Sequence, residues 1–250
     1  MRVATVQFCP VFLDRAGNIR RLADLVVRAA SQGAQLIVLP ELVTTGYSFM
    51  NRAQALEHAE VLQYPADAPH SSFSVFRALA RKLSVHIVWG LVEKSAGTGS
   101  LFNSQVLMCP DGAFESYQKC NLFGQDWLWA SEGRASPPVR RILVDGKPYK
   151  VGLLICRDIR DKAANRDCLY EPGDADVVAY SAAWGDGGFP ANAWMSFVRD
   201  NHMTLVVSNR YGQEANNNFG EGGVCIIRPD LSVVCEGLVW NQDCIVYGEV

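Results

Sequence analysis

Apolar runs typical of β-strands alternate with helix-like segments along the whole chain, and this alternation constrains the fold more strongly than any other feature. The run AQLIVLP (34–40) predicts a buried strand, and the segment before it predicts a helix that Asn18 caps and that runs to about residue 32. Asp-Gly pairs at 111–112 and 145–146 predict hairpin turns between later strands. Helix–strand alternation combined with hairpins favours an α/β fold in which helices cover mixed sheets.

The alternating pattern continues without interruption from one end of the chain to the other. No internal repeat, low-complexity stretch or linker-like segment divides it. A chain of 250 residues is long enough to bury one large core. Residues 1–250 are therefore expected to form a single domain.

The charge balance and the hydropathy limit the partners that this protein can have. The chain carries 23 Lys+Arg against 26 Asp+Glu, and its basic residues form no cluster, so we expect no nucleic-acid partner. Its first residues, MRVATVQFCPVF, do not resemble a signal peptide. No apolar run approaches the roughly 18 residues needed to cross a bilayer. We therefore expect a cytoplasmic protein with no membrane partner.

The cysteines and histidines give no indication of a metal or redox site. The eight cysteines include no CxxC pair, which disfavours a thiol-redox function, and most are predicted to be small, buried and reduced. The four histidines form neither an HxxxH nor an HExxH pattern, so no metal site is expected. The glycine-rich segment 220–223 lacks the third glycine of a dinucleotide fingerprint, and we expect no cofactor.

Three polar residues stand out because each ends or directly follows an apolar strand. Glu41 follows LIVLP, Lys119 ends AFESYQK, and Cys156 follows VGLLI. Each has an ordinary structural interpretation, as a helix cap, a surface lysine and a core cysteine. Together they form a complete set for acyl transfer, because a base can activate the thiol and a cation can stabilise the oxyanion.

The segments around these three residues resemble those of the nitrilase (carbon–nitrogen hydrolase) superfamily, and the resemblance extends over nearly the whole chain. The matching segments are LIVLPELVTTGY (36–47), SYQKCNLFG (116–124), VGLLICRDIRD (151–161), SAAWG (181–185), VRDN (198–201) and SNRYG (208–212). Asn121 stands where the family usually has histidine. Together, these ordered regions of similarity make the resemblance specific, although any one of them would be weak evidence.

The resemblance implies a fold, an assembly and a mechanism. The fold is a four-layer αββα sandwich with mixed sheets that pairs face to face, so a homodimer or a higher homo-oligomer is expected. The mechanism needs neither metal nor cofactor. Cys156 would attack the carbonyl carbon of a small-molecule amide, Glu41 would act as general base and acid, and Lys119 would stabilise the oxyanion. A thioester would then be hydrolysed by water.

One catalytic position departs from the family pattern. Many members carry a second glutamate seven residues before a glycine, and counting back from Gly133 leads to Asp126. Asp126 is therefore a candidate catalytic residue, although its side chain is one methylene shorter than that of glutamate. The alternative is that Asp126 is a solvated loop residue.

The residue after the nucleophile also departs from the pattern, and it bears on the substrate. Nitrilases proper tend to have Trp-Glu after the cysteine, whereas this chain has Arg157, which favours an amidase. An arginine at this position can bind a substrate carboxylate, or it can form an ion pair with Asp158 or Asp161.

Aromatic residues complete the candidate substrate pocket. Tyr47 and Trp184 are assigned with Arg157 as substrate-binding residues, and a loop with Phe123, Trp127 and Trp129 can supply further walls. The alternative for the tryptophans is packing in the core or in a dimer interface.

The sequence therefore predicts an amidase that releases ammonia or an amine and a carboxylic acid. Two alternatives stay open. An N-carbamoyl amino acid or amine hydrolase would use the same three residues, and a catalytically silent binding protein would keep the fold alone.

Overall fold

Two six-stranded sheets form the centre of the protein. The computed structural model describes residues 1–63, 70–160, 174–185 and 188–250. Asp161 and the middle of the loop between Trp184 and Phe189 lie outside the described residues. The first sheet contains β1 (Arg2–Gln7), β2 (Leu36–Val38), β3 (His86–Lys94), β4 (Leu101–Met108), β5 (Phe114–Gln118) and β14 (Cys244–Glu249), in the order β14-β1-β2-β3-β4-β5.

The second sheet is also mixed. It contains β6 (Val139–Val144), β7 (Lys147–Ile155), β8 (Val177–Ala182), β9 (Thr204–Asn209), β12 (Cys225–Ile227) and β13 (Val233–Val234), in the order β13-β12-β9-β8-β7-β6. A separate hairpin is formed by β10 (Gln213–Glu214) and β11 (Asn217–Asn218). The α-helices are α1 (Arg15–Ser31), α2 (Arg52–His58), α3 (Ser72–Leu83) and α4 (Asn192–Asn201).

Strand β2 shows how the layers are built, because successive side chains of a strand point to opposite faces. Leu36 and Val38 lie in the core cluster that contains the second sheet, whereas Ile37 packs in the cluster that contains α1 and α3. Helix α4 packs on the second sheet through side chains such as Trp194. The predicted α/β fold with mixed sheets is confirmed, and its layers are those of an αββα sandwich.

Buried hydroxyl groups join the two sheets across the core. Thr5 donates to the backbone oxygen of Val207 at 2.6 Å, and Ser208 donates to that of Val6 at 2.7 Å. Both hydroxyls are fully buried, so each of these hydrogen bonds avoids the cost of an unsatisfied polar group and helps to set the position of one sheet against the other.

The strand directions bring the candidate residues to one end of the sandwich. β2 is parallel to β3, and β5 runs in the same direction because two antiparallel pairings separate it from β3. β7 and β8 are parallel to each other in the second sheet. The residues that follow β2 and β5 therefore leave one edge of the first sheet, and the residues that follow β7 and β8 leave one edge of the second.

The helices differ from the sequence prediction in two places. Helix α1 begins at Arg15, and Asp14 caps it by accepting a hydrogen bond from the Gly17 N–H at 3.0 Å. Asn18 is therefore not the cap: it lies inside the helix, and its side chain holds the backbone of Val11. Helix α2 was not predicted.

Most cysteines carry free thiols, in line with the sequence interpretation. The free cysteines are Cys9, Cys109, Cys156, Cys225, Cys235 and Cys244. Cys120 is instead disulfide-bonded and is an exception to this pattern. None of the helices that the structure describes is both long enough and apolar enough to cross a membrane.

Candidate active site

Cys156 lies at a sharp turn where β7 ends and a short 3-10 helix, Cys156–Ile159, begins. Its φ of +41° is a left-handed conformation that residues with a side chain rarely adopt. The hydroxyl of Tyr180 donates to the backbone oxygen of Cys156 at 2.9 Å and so supports this turn. The turn directs the sulfur away from the sheet and into a cavity.

Glu41 is held beside this turn by a close approach between two backbones. The Gly90 N–H of β3 donates to the Pro40 oxygen at 3.1 Å. A Cβ at Gly90 would lie 2.7 Å from the Glu41 Cα, so only glycine fits there. The Glu41 carboxylate is 1% exposed; its Oε2 accepts the backbone N–H of Ala183 at 2.9 Å.

Lys119 reaches the same point from the end of β5. Gly133 N–H donates to the Lys119 backbone oxygen at 2.8 Å, and a Cβ at Gly133 would lie 2.0 Å from the oxygen of Gln118. The lysine Nζ lies 2.7 Å from Glu41 Oε1 and 2.6 Å from Asp126 Oδ2. All three side chains are fully buried, so the ammonium group links two carboxylates inside the protein.

Asp126 lies in the 3-10 helix Gly124–Leu128 and is fully buried, so it is not a solvated loop residue. Its Oδ2 also accepts the Phe123 N–H at 3.2 Å. The short helix brings the carboxylate close enough for the aspartate to reach Lys119 in spite of its shorter side chain.

Asn103 is a member of this cluster that the sequence analysis missed. Its Nδ2 donates to Glu41 Oε1 at 2.8 Å and to Asp126 Oδ1 at 3.1 Å. The sequence contains a signal for it, since Asn103, Ser104 and Gln105 interrupt the apolar strand β4 with three consecutive polar residues that are all buried. Buried polar side chains inside a strand require hydrogen-bond partners, and both partners of the Asn103 side chain are acidic.

The electrostatics of the cluster keep the lysine charged and the thiol protonated. Burial lowers the pKa of Lys119, but the carboxylates of Asp126 and Glu41 outweigh it and raise the pKa well above its ordinary value. Burial, followed by the negative charge of Glu41, raises the pKa of Cys156 well above that of a free thiol. Glu41 raises the pKa of Cys156 through its charge and its side-chain polarity, whereas the Ala183 backbone lowers it, so a proton acceptor lies near the thiol.

Asp158 links the turn that carries Cys156 to the segment that carries Lys119. Its Oδ2 accepts the Tyr117 hydroxyl at 2.9 Å, and its Oδ1 accepts the Asn121 N–H at 2.6 Å. These two residues lie on either side of Lys119. Burial raises the pKa of Asp158 to about 7, against the hydrogen bonds and the charge of Lys119, which lower it.

The raised pKa of Asp158 predicts a pH-dependent contribution to stability. The folded protein binds this proton more tightly than the unfolded chain, whose carboxyl has a pKa of 3.8, so the stabilisation present at low pH is lost as the pH rises towards 7. Replacing Asp158 by Asn removes this dependence. Relative to the wild type, the variant should gain on the order of 4 kcal/mol of unfolding free energy between about pH 4 and pH 8, measured by urea denaturation.

The matched control for this measurement is Asp24→Asn, because Asp24 is an exposed carboxylate on α1. Its unfolding free energy should stay parallel to that of the wild type over the same pH range. A difference between Asp158→Asn and the wild type that does not change with pH would contradict the prediction.

A cavity of about 140 Å³ opens above the sulfur. The predicted binding residues Tyr47, Arg157 and Trp184 all line it, together with Arg160, and no carboxylate occurs among its described lining residues. The Arg157 guanidinium lies 5.4 Å from the ring centre of Phe123, another wall of the cavity. The cavity is therefore rich in positive charge and aromatic surface.

Tyr47 and Trp184 are both fixed in place. The Tyr47 hydroxyl donates to the backbone oxygen of Phe123, and its ring lies 5.9 Å from the Lys119 Nζ. The backbone N–H and oxygen of Trp184 both bind the side chain of Asn209, at 2.8 and 3.1 Å. These contacts make the two aromatic residues rigid walls of the cavity.

The remaining aromatic residues of the predicted loop separate into different environments. Phe123 lines the cavity, Trp129 is buried against Phe49 at 5.4 Å, and Trp127 is 61% exposed. Only Phe123 of these three is part of the candidate pocket. Among the residues that the structure describes, no group of three or more His, Cys, Asp or Glu side chains is arranged to hold a metal ion.

Comparisons with known proteins identify the family of this chain. A family model described as carbon-nitrogen hydrolase matches residues 2–250. The chain is 31% identical over 228 residues to a nitrilase from Pyrococcus abyssi, which covers 88% of this chain and 78% of the relative. It is 27% identical to an omega-amidase from Danio rerio, over 100% of this chain and 87% of the relative.

A solved structure gives the same result at the level of the fold. It is a mutant of the amidase from Nesterenkonia sp. AN1 that shows covalent addition of the acetamide moiety of fluoroacetamide at the active site cysteine. It matches with a TM-score of 0.79 and 25% identity, over 99% of this chain and 89% of that chain. The chain therefore belongs to the carbon–nitrogen hydrolase family of the nitrilase superfamily, as an amidase-type enzyme.

Proposed function

We propose that this protein hydrolyses the C–N bond of a small amide through a thioester on Cys156. The observation that carries the proposal is the position of Glu41, which accepts hydrogen bonds from the Lys119 ammonium group at 2.7 Å and from the Ala183 N–H at 2.9 Å. Ala183 lines the same cavity as Cys156, and Glu41 acts electrostatically on the Cys156 thiol. A nucleophile that lines the cavity thus lies near a base and a cation that are buried behind it. The reaction releases ammonia or an amine and a carboxylic acid.

Acylation begins with attack of the Cys156 sulfur on the amide carbonyl carbon while Glu41 takes the thiol proton. Because burial and Glu41 keep the thiol protonated in the resting enzyme, proton transfer has to accompany the attack. The C–N bond then breaks as Glu41 returns the proton to the departing nitrogen, and the acyl group remains on sulfur as a thioester. Glu41 next takes a proton from water, whose oxygen attacks the thioester and expels the Cys156 thiolate. The proton then returns to the sulfur.

Lys119 supplies the positive charge for both tetrahedral intermediates. An ammonium group has three N–H donors, and two of them bind Glu41 and Asp126. The third can donate to the oxygen that becomes negative during attack. Asp126 holds the ammonium in position, which gives it a role in the catalytic cluster without a proton-transfer step of its own.

Tyr47, Arg157 and Trp184 form the substrate-binding surface in this proposal. An N-carbamoyl amino acid is a second candidate substrate, because its carbonyl suits the same cluster and two arginines line the cavity. The single-domain organisation, the homo-oligomeric assembly and the cytoplasmic location inferred from the sequence stay predictions.

The proposal is tested with a panel that contains butyramide, an amide with a terminal carboxylate, an N-carbamoyl amino acid and a nitrile. We expect ammonia release from at least one amide, and acid-quenched intact mass should show an acyl adduct that maps to Cys156. Iodoacetamide should modify Cys156 faster than the other free thiols in spite of its raised pKa, because Glu41 can take the thiol proton during the attack. Equal modification of all thiols, with no adduct and no ammonia, would overturn the proposal.

Arg157 allows a separate prediction about the acyl part of the substrate. Replacing Arg157 by Gln should raise KM about 10-fold or more for amides or carbamoyl compounds that carry a carboxylate, because a charge-assisted contact is lost. The same change should leave KM for butyramide within about 2-fold of the wild-type value. For substrates with a carboxylate, the KM of Arg157→Lys should lie between those of the wild type and of Arg157→Gln. Equal losses for charged and neutral substrates would refute carboxylate binding at this residue.

A further inference from the structure

We propose that Asn103 is a positioning residue that orients Glu41 towards the thiol and stabilises the negative charge of its carboxylate by a hydrogen bond, and that it thereby influences the pH at which catalysis begins. This inference rests on the proposed function, in which Glu41 is the base. It is carried by the arrangement in which one amide group donates to both carboxylates of the cluster.

The two carboxylate oxygens of Glu41 have different hydrogen-bond donors. Oε1 accepts from the Lys119 Nζ at 2.7 Å and from the Asn103 Nδ2 at 2.8 Å. Oε2 accepts from the Ala183 N–H at 2.9 Å, and the same backbone group lowers the pKa of the Cys156 thiol. Two donors therefore hold Oε1 and leave Oε2 on the side of the thiol, where a base is needed.

The orientation of the Asn103 amide supports this role. Both Nδ2 protons are used, one on Glu41 and one on Asp126, while the buried Oδ1 has no hydrogen-bond partner among the described residues. An unsatisfied buried acceptor is costly. The reverse orientation would direct Oδ1 at two carboxylates, so the observed orientation is the one that stabilises negative charge.

The charges near Glu41 explain why a neutral donor matters there. Two carboxylates share a single ammonium group, so the cluster of Glu41, Asp126 and Lys119 has a net negative charge when all three are ionised. The other titratable groups that act electrostatically on Glu41 are Cys156, Asp158, Tyr47 and Tyr180. Asn103 adds stabilisation of the ionised carboxylate without adding a proton of its own to the titration.

Asn103 does not line the cavity, so the inference predicts a specific kinetic pattern. Replacing Asn103 by Ala should move the acidic limb of the kcat/KM profile to higher pH by about one unit. The plateau value of kcat should fall about 10-fold or more, and KM should stay within about 2-fold. Asn103→Ser, which keeps one donor, should give a smaller shift and serves if the alanine variant does not fold.

The matched control is Gln105→Ala. Gln105 is a fully buried amide on the same face of β4, but it donates to Ala179 and Ser181 of the second sheet instead of to a carboxylate. This variant should lose stability without any change in the pH profile. Equal losses of activity in Asn103→Ala and Gln105→Ala, with both profiles unshifted, would show that Asn103 is only structural and would overturn the inference.

A second measurement separates this inference from the proposed function. The rate of Cys156 alkylation by iodoacetamide is measured against pH without substrate, in the wild type and in each Asn103 variant. The acidic limb of this rate should shift in the same direction as kcat/KM. If the wild type hydrolyses no amide, the proposed function fails, while an unshifted alkylation profile in the variants contradicts the role of Asn103 independently.

Discussion

Replacing Cys156 by alanine is expected to lower kcat for every amide substrate by about 10⁴-fold or more, because no other group at the bottom of the cavity can form the thioester. The fold should be preserved. Alanine has the same Cβ as cysteine at a φ of +41°, and Glu41 keeps its hydrogen bonds from Lys119, Asn103 and Ala183. Ammonia release and the acyl adduct in intact mass should both disappear.

Two further variants serve as a comparison and a control for Cys156→Ala. Cys156→Ser should retain traces of activity, because a hydroxyl is a weaker nucleophile than a thiol in the same position. Cys225→Ala removes another free, fully buried thiol from β12, far along the chain from the cluster, and should leave kcat unchanged. If Cys156→Ala retained more than about 1% of wild-type kcat, covalent catalysis at Cys156 would be excluded.

Replacing Lys119 by Met is expected to have the largest effect on stability. The variant leaves the carboxylates of Glu41 and Asp126 fully buried without a cation, and removal of one partner from a buried ion pair typically costs about 3–5 kcal/mol. We expect a loss of that size in the free energy of unfolding at neutral pH, measured with urea. The loss should shrink at acidic pH as the carboxylates become protonated. Activity should fall by at least about 10²-fold, because the oxyanion loses its cation.

The double variant Lys119→Met/Asp126→Asn tests the electrostatic origin of this loss. It removes one of the two uncompensated charges, so it should be more stable than Lys119→Met alone. Lys147→Met is the control for loss of a lysine at an exposed site, and it should change the unfolding free energy by less than about 0.5 kcal/mol. A cost below about 1 kcal/mol for Lys119→Met would contradict the buried ionic cluster.

Much of the site could be predicted because its main residues are marked by local patterns. Glu41, Lys119 and Cys156 each end or follow an apolar strand, and the structure brings the three side chains into one buried cluster. The strand directions explain this result, since β2 and β5 run the same way in one sheet and β7 runs to the facing edge of the other. Their catalytic roles stay predictions until the variants are measured.

Other members of the site could not be assigned from local patterns. Asn103 lies in the middle of a strand, and its contacts are with Glu41 and Asp126, which are 62 and 23 residues away in the chain. Asp126 could be buried or solvated on sequence grounds alone, and only the short 3-10 helix decides that it meets Lys119. The start of α1 was misplaced because Asp14 and Asn18 are equally suitable caps by residue type.

The amino-acid order alone indicated most of the strands and helices, the mixed character of the sheets and the three polar residues at strand ends. These features depend on neighbours within a few residues, so they can be read locally. Only the tertiary structure decided that Asn103 bridges two carboxylates, that Asp158 holds the segments on both sides of Lys119, and that burial beside Glu41 raises the pKa of the thiol. Charge interactions and desolvation depend on the distance and burial of groups that are remote in sequence, and packing alone sets those distances.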